Sequence, residues 1–289
     1  MTPIPQIDRS QLEEIARRAL AEDLGDAGDI TSNGIVRIDQ PGRARIFAKS
    51  SGVLAGALVV EAVFHFIDKK VEIDWKLDDG ARLEPDSEIA LVAGRARALL
   101  ASERVALNFL QHLSGVATLT SQFVEVCSPH GVRVLCTRKT IPGLRALQRY
   151  AVVLGGGHLH RAGLFDKILI KNNHKKLAGG VVEAFRRAKA NPNVEVEVEV
   201  ESIEELEDAM AAGANHVLLD NADLVTIKEA VKMTRGKAFL EISGGMTLRT
   251  VSSIAKLKPD AISAGVLTHS AGVVDIAMHV LGPAGAAPA

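Results

Sequence analysis

The sequence predicts an α/β protein in two parts: an N-terminal α+β unit followed by a parallel α/β barrel. Three observations carry this. After about residue 130, short apolar strands alternate with helix-patterned segments, the repeating unit of a parallel sheet. These strands recur roughly every 20–24 residues, and regular right-handed βα repetition favours closure into a barrel. No strand is followed by a GxGxxG turn, which would favour the alternative, an open doubly wound sheet.

The elements follow in order. Ser10 and Glu13 have capping-box spacing, and Leu12, Ile15, Ala16, Ala19 and Leu20 then repeat at helical intervals up to about Gly25. Glu22, Asp23, Asp26 and Asp29 match no metal-ligand spacing and read as a solvated loop. Residues 43–57 read as strand, turn and strand; VEIDW and EIALVAG within 71–97 are strands separated by Asp-Gly and Pro-Asp turns. Helices are expected from about Ala98 to Leu113 and again from Thr118 to Cys127. Then come the strands VRVLC (132–136), ILI (168–170), VEVEVEV (194–200), HVLLD (216–220), AFLEI (238–242) and AISAG (261–265). Helices follow the later ones: a helix capped by Ser202 and Glu205 that ends at Ala212, then 224–233 and 247–257. The Gly/Ala/Pro tail from Gly282 to Ala289 reads as a frayed end.

The chain has 289 residues, 47% hydrophobic and 24% charged, enough for a sizeable core in one or two domains. A formal net charge of −1 gives no electrostatic case for nucleic acid or an anionic membrane. No apolar run approaches the roughly 18 residues that span a bilayer, and residues 1–7 lack a signal-peptide pattern. Cys127 and Cys136 suggest no disulfide framework, which fits a reducing cytoplasm. A phosphate-binding GxxxxGK loop, GxSxG and HExxH are all absent.

A parallel α/β barrel carries its active site at the C-terminal ends of its strands. There the sequence places Thr137, Arg138 and Lys139, Lys171, Glu199, Asp220, Ser243-Gly244-Gly245, and Ser263 with Gly265; His158, His160 and Arg161 stand just before Ala162-Gly163. The early strands contribute cations and the late ones carboxylates and glycine turns. Cations converging on one mouth repel one another unless they serve an anion. Glycine turns ahead of helices offer backbone N–H groups to phosphate. Carboxylates beside a phosphate site hold Mg²⁺ or sugar hydroxyls. Glu195 and Glu197 read as the polar face of a strand, Cys136 as a small buried residue, and His158 with His160 as lacking a third zinc ligand.

Several segments resemble the quinolinate phosphoribosyltransferase family, also called nicotinate-nucleotide pyrophosphorylases (carboxylating). These are EDLGDAGDITS (22–32), SERVALNFLQHLSG (102–115), TRKTIPGLRALQRYAV (137–152), GGGHLHRAGL (155–164), LIKNNH (169–174), EVEVES (197–202), LLDN (218–221), SGG (243–245) and SAGVLTHS (263–270). The resemblance implies a type II phosphoribosyltransferase-like fold, an N-terminal α/β sandwich plus an incomplete parallel α/β barrel. On this basis residues 1–115 form the sandwich, joined by segment 271–289, and residues 116–270 the catalytic barrel. It implies that quinolinate and phosphoribosyl pyrophosphate give nicotinate mononucleotide, CO₂ and pyrophosphate with Mg²⁺, in de novo NAD biosynthesis. Carried over by position, Arg138, His160, Arg161 and Lys171 bind the quinolinate carboxylates. Arg104 reaches the same pocket from a neighbouring subunit, which implies a homodimer or a higher assembly built on it. Lys139 contacts the pyrophosphate-bearing substrate, and Glu199 and Asp220 hold ribose hydroxyls and Mg²⁺–pyrophosphate. Thr137, Ser243, Gly244, Gly245, Ser263 and Gly265 complete the substrate-binding set, the late turns cradling the 5′-phosphate. The chain departs from the family pattern at Cys136 and Asn172, both commonly Asp, and at Leu159 and Ile242. A phosphoribosyltransferase for another acid, a salvage nicotinate enzyme and a binding-only protein are the competing readings.

Overall fold

The computed structural model describes residues 2–282. Its N-terminal part begins with helix α1 (Arg9–Leu24), which buries Leu12, Ala16 and Leu20, one stripe at helical spacing. The expected Ser10 cap is corrected: Asp8 is the N-cap, so Ser10 and Glu13 lie within the helix, and Glu13 pairs instead with Arg9 at 2.9 Å. Glu22, Asp23 and Asp26 are exposed, whereas Asp29 accepts from Ser32 N and starts a short helix the sequence reading did not contain, α2 (Ile30–Ile35).

Strand β1 (Pro41–Ala48) and the two-residue β2 (Gly52–Val53) follow. Residues 54–57, expected to extend β2, instead lead into α3 (Ala57–Ile67). The side chain of Asp79 accepts from Gly56 N and Ala57 N, capping α3 from 22 residues away, so no local signal announces the helix. After β3 (Glu72–Trp75), β4 (Arg82–Leu83) and β5 (Glu88–Arg95) comes α4 (Ala96–Cys127), 32 continuous residues where two helices were expected. Gly115 lies inside it. A Cβ there would collide with the Gly272 carbonyl, so the glycine is a close-approach site, not a break. The expected division at 115/116 therefore falls within one helix. With β12 (Ile276–Gly282), which pairs with β1, four antiparallel strands form a sheet in the order β12-β1-β5-β3; α4 packs on it, and α1 and α3 pack against α4 and each other. Gly282, expected in the frayed tail, closes β12; residues 283–289 and Met1 lie outside the described residues.

The second part is a six-stranded parallel sheet. Its strands are β6 (Arg133–Leu135), β7 (Ile168–Ile170), β8 (Val196–Val200), β9 (His216–Asp220), β10 (Phe239–Ser243) and β11 (Ala261–Ser263). Helices α5 (Arg145–Leu154), α6 (Asn172–Ala178), α7 (Val181–Ala188), α8 (Ile203–Ala211), α9 (Leu224–Thr234), α10 (Leu248–Ala255) and α11 (Val266–His269) punctuate the series. The strand order is β6-β11-β10-β9-β8-β7. Neighbours run consecutively from β7 to β11, and the first strand of the series lies beside the last. That order has no reversal point and belongs to a barrel, open only between β6 and β7. The chain spans more residues across this opening than between the later strands, and residue 158 lies against β6 within it: His158 N donates to Val134 O at 2.7 Å, and Cys136 N to His158 O at 3.0 Å.

Candidate active site

Strand β8 corrects one reading and explains the site. All five of its residues are buried, so Glu197 is not a solvated polar face. In a barrel one face of each strand looks outward to the helices and the other inward to the lumen. Glu197 and Glu199 share the second face, at spacing i, i+2. Glu199 is in register with Leu218, which is in register with Glu241 on β10; one layer higher, Asp220 pairs with Ser243.

At the C-terminal ends of these strands a cleft of about 560 Å³ opens, within the range of small-molecule sites. Its walls bring together Thr137, Arg138, Lys139, His160, Arg161, Lys171, Glu199, Asp220, Ser243, Gly244, Gly245, Ser263 and Gly265. Arg104 is not among them; it is exposed on α4. Glu241 and His269, unassigned from sequence, also line the cleft. Glu197 and Glu241 could have been found from their i−2 spacing to Glu199 and Ser243, which puts them on the same inward face.

Helix α5 holds the basic side of the cleft. Gln148, fully buried, accepts from Ile141 N at 2.9 Å and donates to Thr268 O at 2.7 Å. Arg145 donates to Ala162 O at 3.1 Å, and Arg149 to His160 O at 2.7 Å. The loop after β6 and the 160–162 segment are thus tied to one helix. Cys136 lies in the core 4.0 Å from the Arg149 guanidinium, and burial pushes its thiol up.

The cations are only partly neutralised. Lys171 Nζ is 2.5 Å from Glu199 Oε2. Arg161 is 9% exposed, and its guanidinium donates to the Lys167 carbonyl at 3.3 Å, with no ion pair among the described residues. Burial and the nearby Arg138 charge both work against its cation. Arg138 Nε is buried and without a partner. A buried guanidinium and a half-buried one close enough to repel are unfavourable alone, and an anion between them removes the penalty.

The acidic side has its own order. Burial, then the Glu199 charge, raises the Asp220 carboxyl above its usual range. Asn221, at φ 54°, donates from Nδ2 to Asp220 Oδ2 at 2.9 Å, and its backbone N–H bonds to Ser243 O. Gly244 follows at φ 95°, where a Cβ would strike the Asn221 side chain. At Gly265 a Cβ would come 2.8 Å from the Lys139 chain, so this glycine lets Lys139 lie across the turn. Deeper in the barrel, His160 Nε2 lies 2.9 Å from Glu197 and 3.6 Å from Glu241. One ligand atom of each lies within 4.8 Å of the others, but the Lys167 ammonium, 3.2 Å from Glu197, already supplies a cation there. Burial, then the Glu197 charge, pushes Glu241 up to about 7. Burial also acts on Glu197, but hydrogen bonds from His160 and Lys167 outweigh it and lower its carboxyl.

The fold and cleft together define a class: α/β-barrel proteins with an appended sandwich, binding an anion at the strand C-termini. Within that class the assignment is specific. Family models described as "Quinolinate phosphoribosyl transferase, N-terminal domain" and "C-terminal domain" match residues 29–114 and 116–279. The chain belongs to the quinolinate phosphoribosyltransferase family. It is 40% identical over 272 residues to a probable nicotinate-nucleotide pyrophosphorylase (carboxylating) of Bacillus subtilis, covering 93% of each chain. It is 36% identical over 289 residues to the chloroplastic nicotinate-nucleotide pyrophosphorylase (carboxylating) of Arabidopsis thaliana, covering 93% of this chain and 82% of the relative. The solved nicotinate-nucleotide pyrophosphorylase of Francisella tularensis superposes with a TM-score of 0.92 at 38% identity, covering 97% of this chain and 99% of the other.

Proposed function

We propose that this chain is an enzyme joining the ring nitrogen of quinolinate to the anomeric carbon of phosphoribosyl pyrophosphate, releasing pyrophosphate and CO₂ to leave nicotinate mononucleotide. The observation that carries the reading is the division of one cleft into under-neutralised cations, Arg138 and Arg161, and carboxylates, Glu199 and Asp220. The cations suit a dicarboxylate, and the carboxylates suit a developing sugar cation.

Arg138, Arg161 and Lys171 bind and orient the two acid groups, with His160 beside them. Thr137, Ser243, Gly244, Gly245, Ser263 and Gly265 receive the 5′-phosphate on hydroxyls and backbone N–H groups at the two late strand ends, the usual phosphate position in such barrels. Lys139 neutralises charge on the departing pyrophosphate. As the C–O bond to pyrophosphate lengthens, positive charge grows on the ribose, and Glu199 and Asp220 stabilise it. The ring nitrogen then completes the new bond. Its positive charge stabilises the carbanion left on the ring carbon when the bond to the adjacent carboxylate breaks; CO₂ leaves, and the pair on that carbon takes a proton. Positioning supplies much of the acceleration, because both reactants are held in one cleft.

The donor set fits Mg²⁺. Glu199 and Asp220 are hard oxygen donors close enough for one charge to raise the other's carboxyl, a repulsion that a divalent ion relieves. Mg²⁺ held there would neutralise pyrophosphate charge.

A homodimer completes the site, with Arg104 entering the neighbouring cleft. Supporting this, Arg104 is exposed outside its own cleft, and the adjacent α2 region leaves Ile30 and Ile35 72% and 81% exposed. Among the described residues no helix is long and apolar enough to cross a membrane. Two free, buried cysteines suit a cytoplasmic setting.

The test is an assay with quinolinate, phosphoribosyl pyrophosphate and Mg²⁺, following nicotinate mononucleotide and CO₂, with nicotinate in parallel. Product from quinolinate alone is expected. A folded protein that turns over only nicotinate, or neither acid, overturns the reading.

A further inference from the structure

Two residues of the cleft wall, His160 and Arg161, and two behind it, Lys167 and Glu197, close a ring of contacts. His160 Nδ1 accepts the Arg161 backbone N–H at 2.7 Å. The Arg161 guanidinium donates to the Lys167 carbonyl at 3.3 Å. Lys167 Nζ reaches Glu197 Oε2 at 3.2 Å, and also Glu195 at 2.8 Å. Glu197 Oε2 in turn takes His160 Nε2 at 2.9 Å. Because Nδ1 is an acceptor here, the imidazole is the Nε2–H tautomer, and both ring nitrogens are occupied by the protein. His160 therefore shapes the site through its neighbours and offers no spare N–H to a ligand in this arrangement.

The distribution of charge around the ring is informative. Glu197 is fully buried, yet it is neutralised by Lys167, whose side chain is 17% exposed, and not by Arg161. The guanidinium's direct hydrogen bond goes to a carbonyl; the Glu197, Asp166 and Glu199 carboxylates act on it only through space. An arrangement serving stability alone would pair the buried cation with the buried acid, or dispense with both. Here Lys167 and His160 share one oxygen of the carboxylate, Oε2, and Arg161 makes no ion pair of its own among the described residues.

We propose that Lys167 and Glu197 are positioning residues for recognition of the acid substrate, holding Arg161 through His160 with its charge unspent. This rests on the reading of the cleft as a quinolinate site. Glu197 was expected on the polar face of a strand, and Lys167 had no expected role. Neither touches the reacting atoms: the Lys167 ammonium fixes the Glu197 carboxylate, and Glu197 sets the backbone of Arg161 through the imidazole. Glu241, 3.6 Å from His160 Nε2, is the other acid beside the imidazole.

The experiment uses the full chain with Lys167→Met, Glu197→Gln and Lys167→Arg. Quinolinate binding is measured directly by calorimetry, kcat and KM are measured for both substrates, and the His160 tautomer is read by ¹⁵N NMR. Lys167→Met and Glu197→Gln should each raise the Kd and KM for quinolinate at least tenfold and leave the KM for phosphoribosyl pyrophosphate within twofold. Lys167→Arg should restore most of the loss, and Glu197→Gln should shift the tautomer populations. Folded variants with unchanged quinolinate Kd, or with both KM values raised alike, overturn the proposal. Lys167 is nearer the surface, so Lys167→Met decides the matter if Glu197→Gln does not fold. A wild-type protein that binds no quinolinate would sink the assigned reaction instead. The NMR readout still judges the ring in that case: a tautomer unchanged by Glu197→Gln refutes it.

Discussion

Lys171 Nζ lies 2.5 Å from Glu199 Oε2, so a cation of the acid-binding side is tethered to a carboxylate of the ribose side. The pair links the two halves of the cleft. Removing the ammonium leaves Glu199 as an uncompensated, 6% exposed carboxylate facing an incoming dianion. Lys171→Ala should weaken quinolinate binding by about 10- to 100-fold, the worth of one charge-assisted hydrogen bond. Calorimetric titration checks this; an unchanged Kd would place the acid elsewhere.

Arg149 joins Cys136 to the carbonyls of His160 and Arg161. Its Nη1 lies 4.0 Å from the thiol, which neutralises nothing. Cys136→Asp should create an ion pair with Arg149, so the variant should fold with a Tm at or above that of the wild type and retain activity. Arg149→Met should lose activity through displacement of segment 160–161, with the Kd for quinolinate raised about tenfold, on the scale of one lost charge-assisted bond. Thermal melts and titrations of both variants decide this; an unfolded Cys136→Asp would show that the pocket rejects a carboxylate.

What the sequence shows and hides follows from the range of the forces involved. The strand ends from Thr137 to Gly265 were legible because a barrel turns each apolar run into a rim position, whatever the tertiary details. Glu197 was misread because VEVEVEV alternates identically whether its polar face meets water or a barrel lumen. Helix α3 escaped because its cap, Asp79, is 22 residues away. Helix α4 was expected as two helices, and the reason a glycine sits inside it, the close approach of Gly272 to Gly115, is distant in sequence. Lys167 carries no motif, and Arg149 lies within TRKTIPGLRALQRYAV with no role of its own there; their meaning comes from a carboxylate and carbonyls that only the fold brings near.

Gly115 gives a direct test of that reading. A methyl group at this position would occupy the space of the Gly272 carbonyl, and both partners are backbone. Gly115→Ala gains helix propensity, worth up to about 1 kcal/mol. The collision should outweigh this and destabilise by about 1–3 kcal/mol, with β12 displaced from β1. Urea unfolding measures the first effect, and hydrogen exchange along residues 276–282 the second. A stabilised variant would mean that the contact yields.

Glu241 makes stability depend on pH with a defined sign. Burial and the Glu197 charge push its carboxyl from the ordinary 4.5 up to about 7. Between these values the folded state holds a proton that the unfolded state has released. The unfolded state therefore binds fewer protons, and stability falls as pH rises from about 4.5 to about 7, then levels off. The span corresponds to at most about 3 kcal/mol. Glu241→Gln keeps the shape and removes the titration, so its stability should stay flatter across this window and exceed that of the wild type at pH values above about 7. Denaturant midpoints measured from acid to mildly alkaline pH separate the two curves. Parallel curves would mean that Glu241 is ionised throughout and that another group compensates its charge.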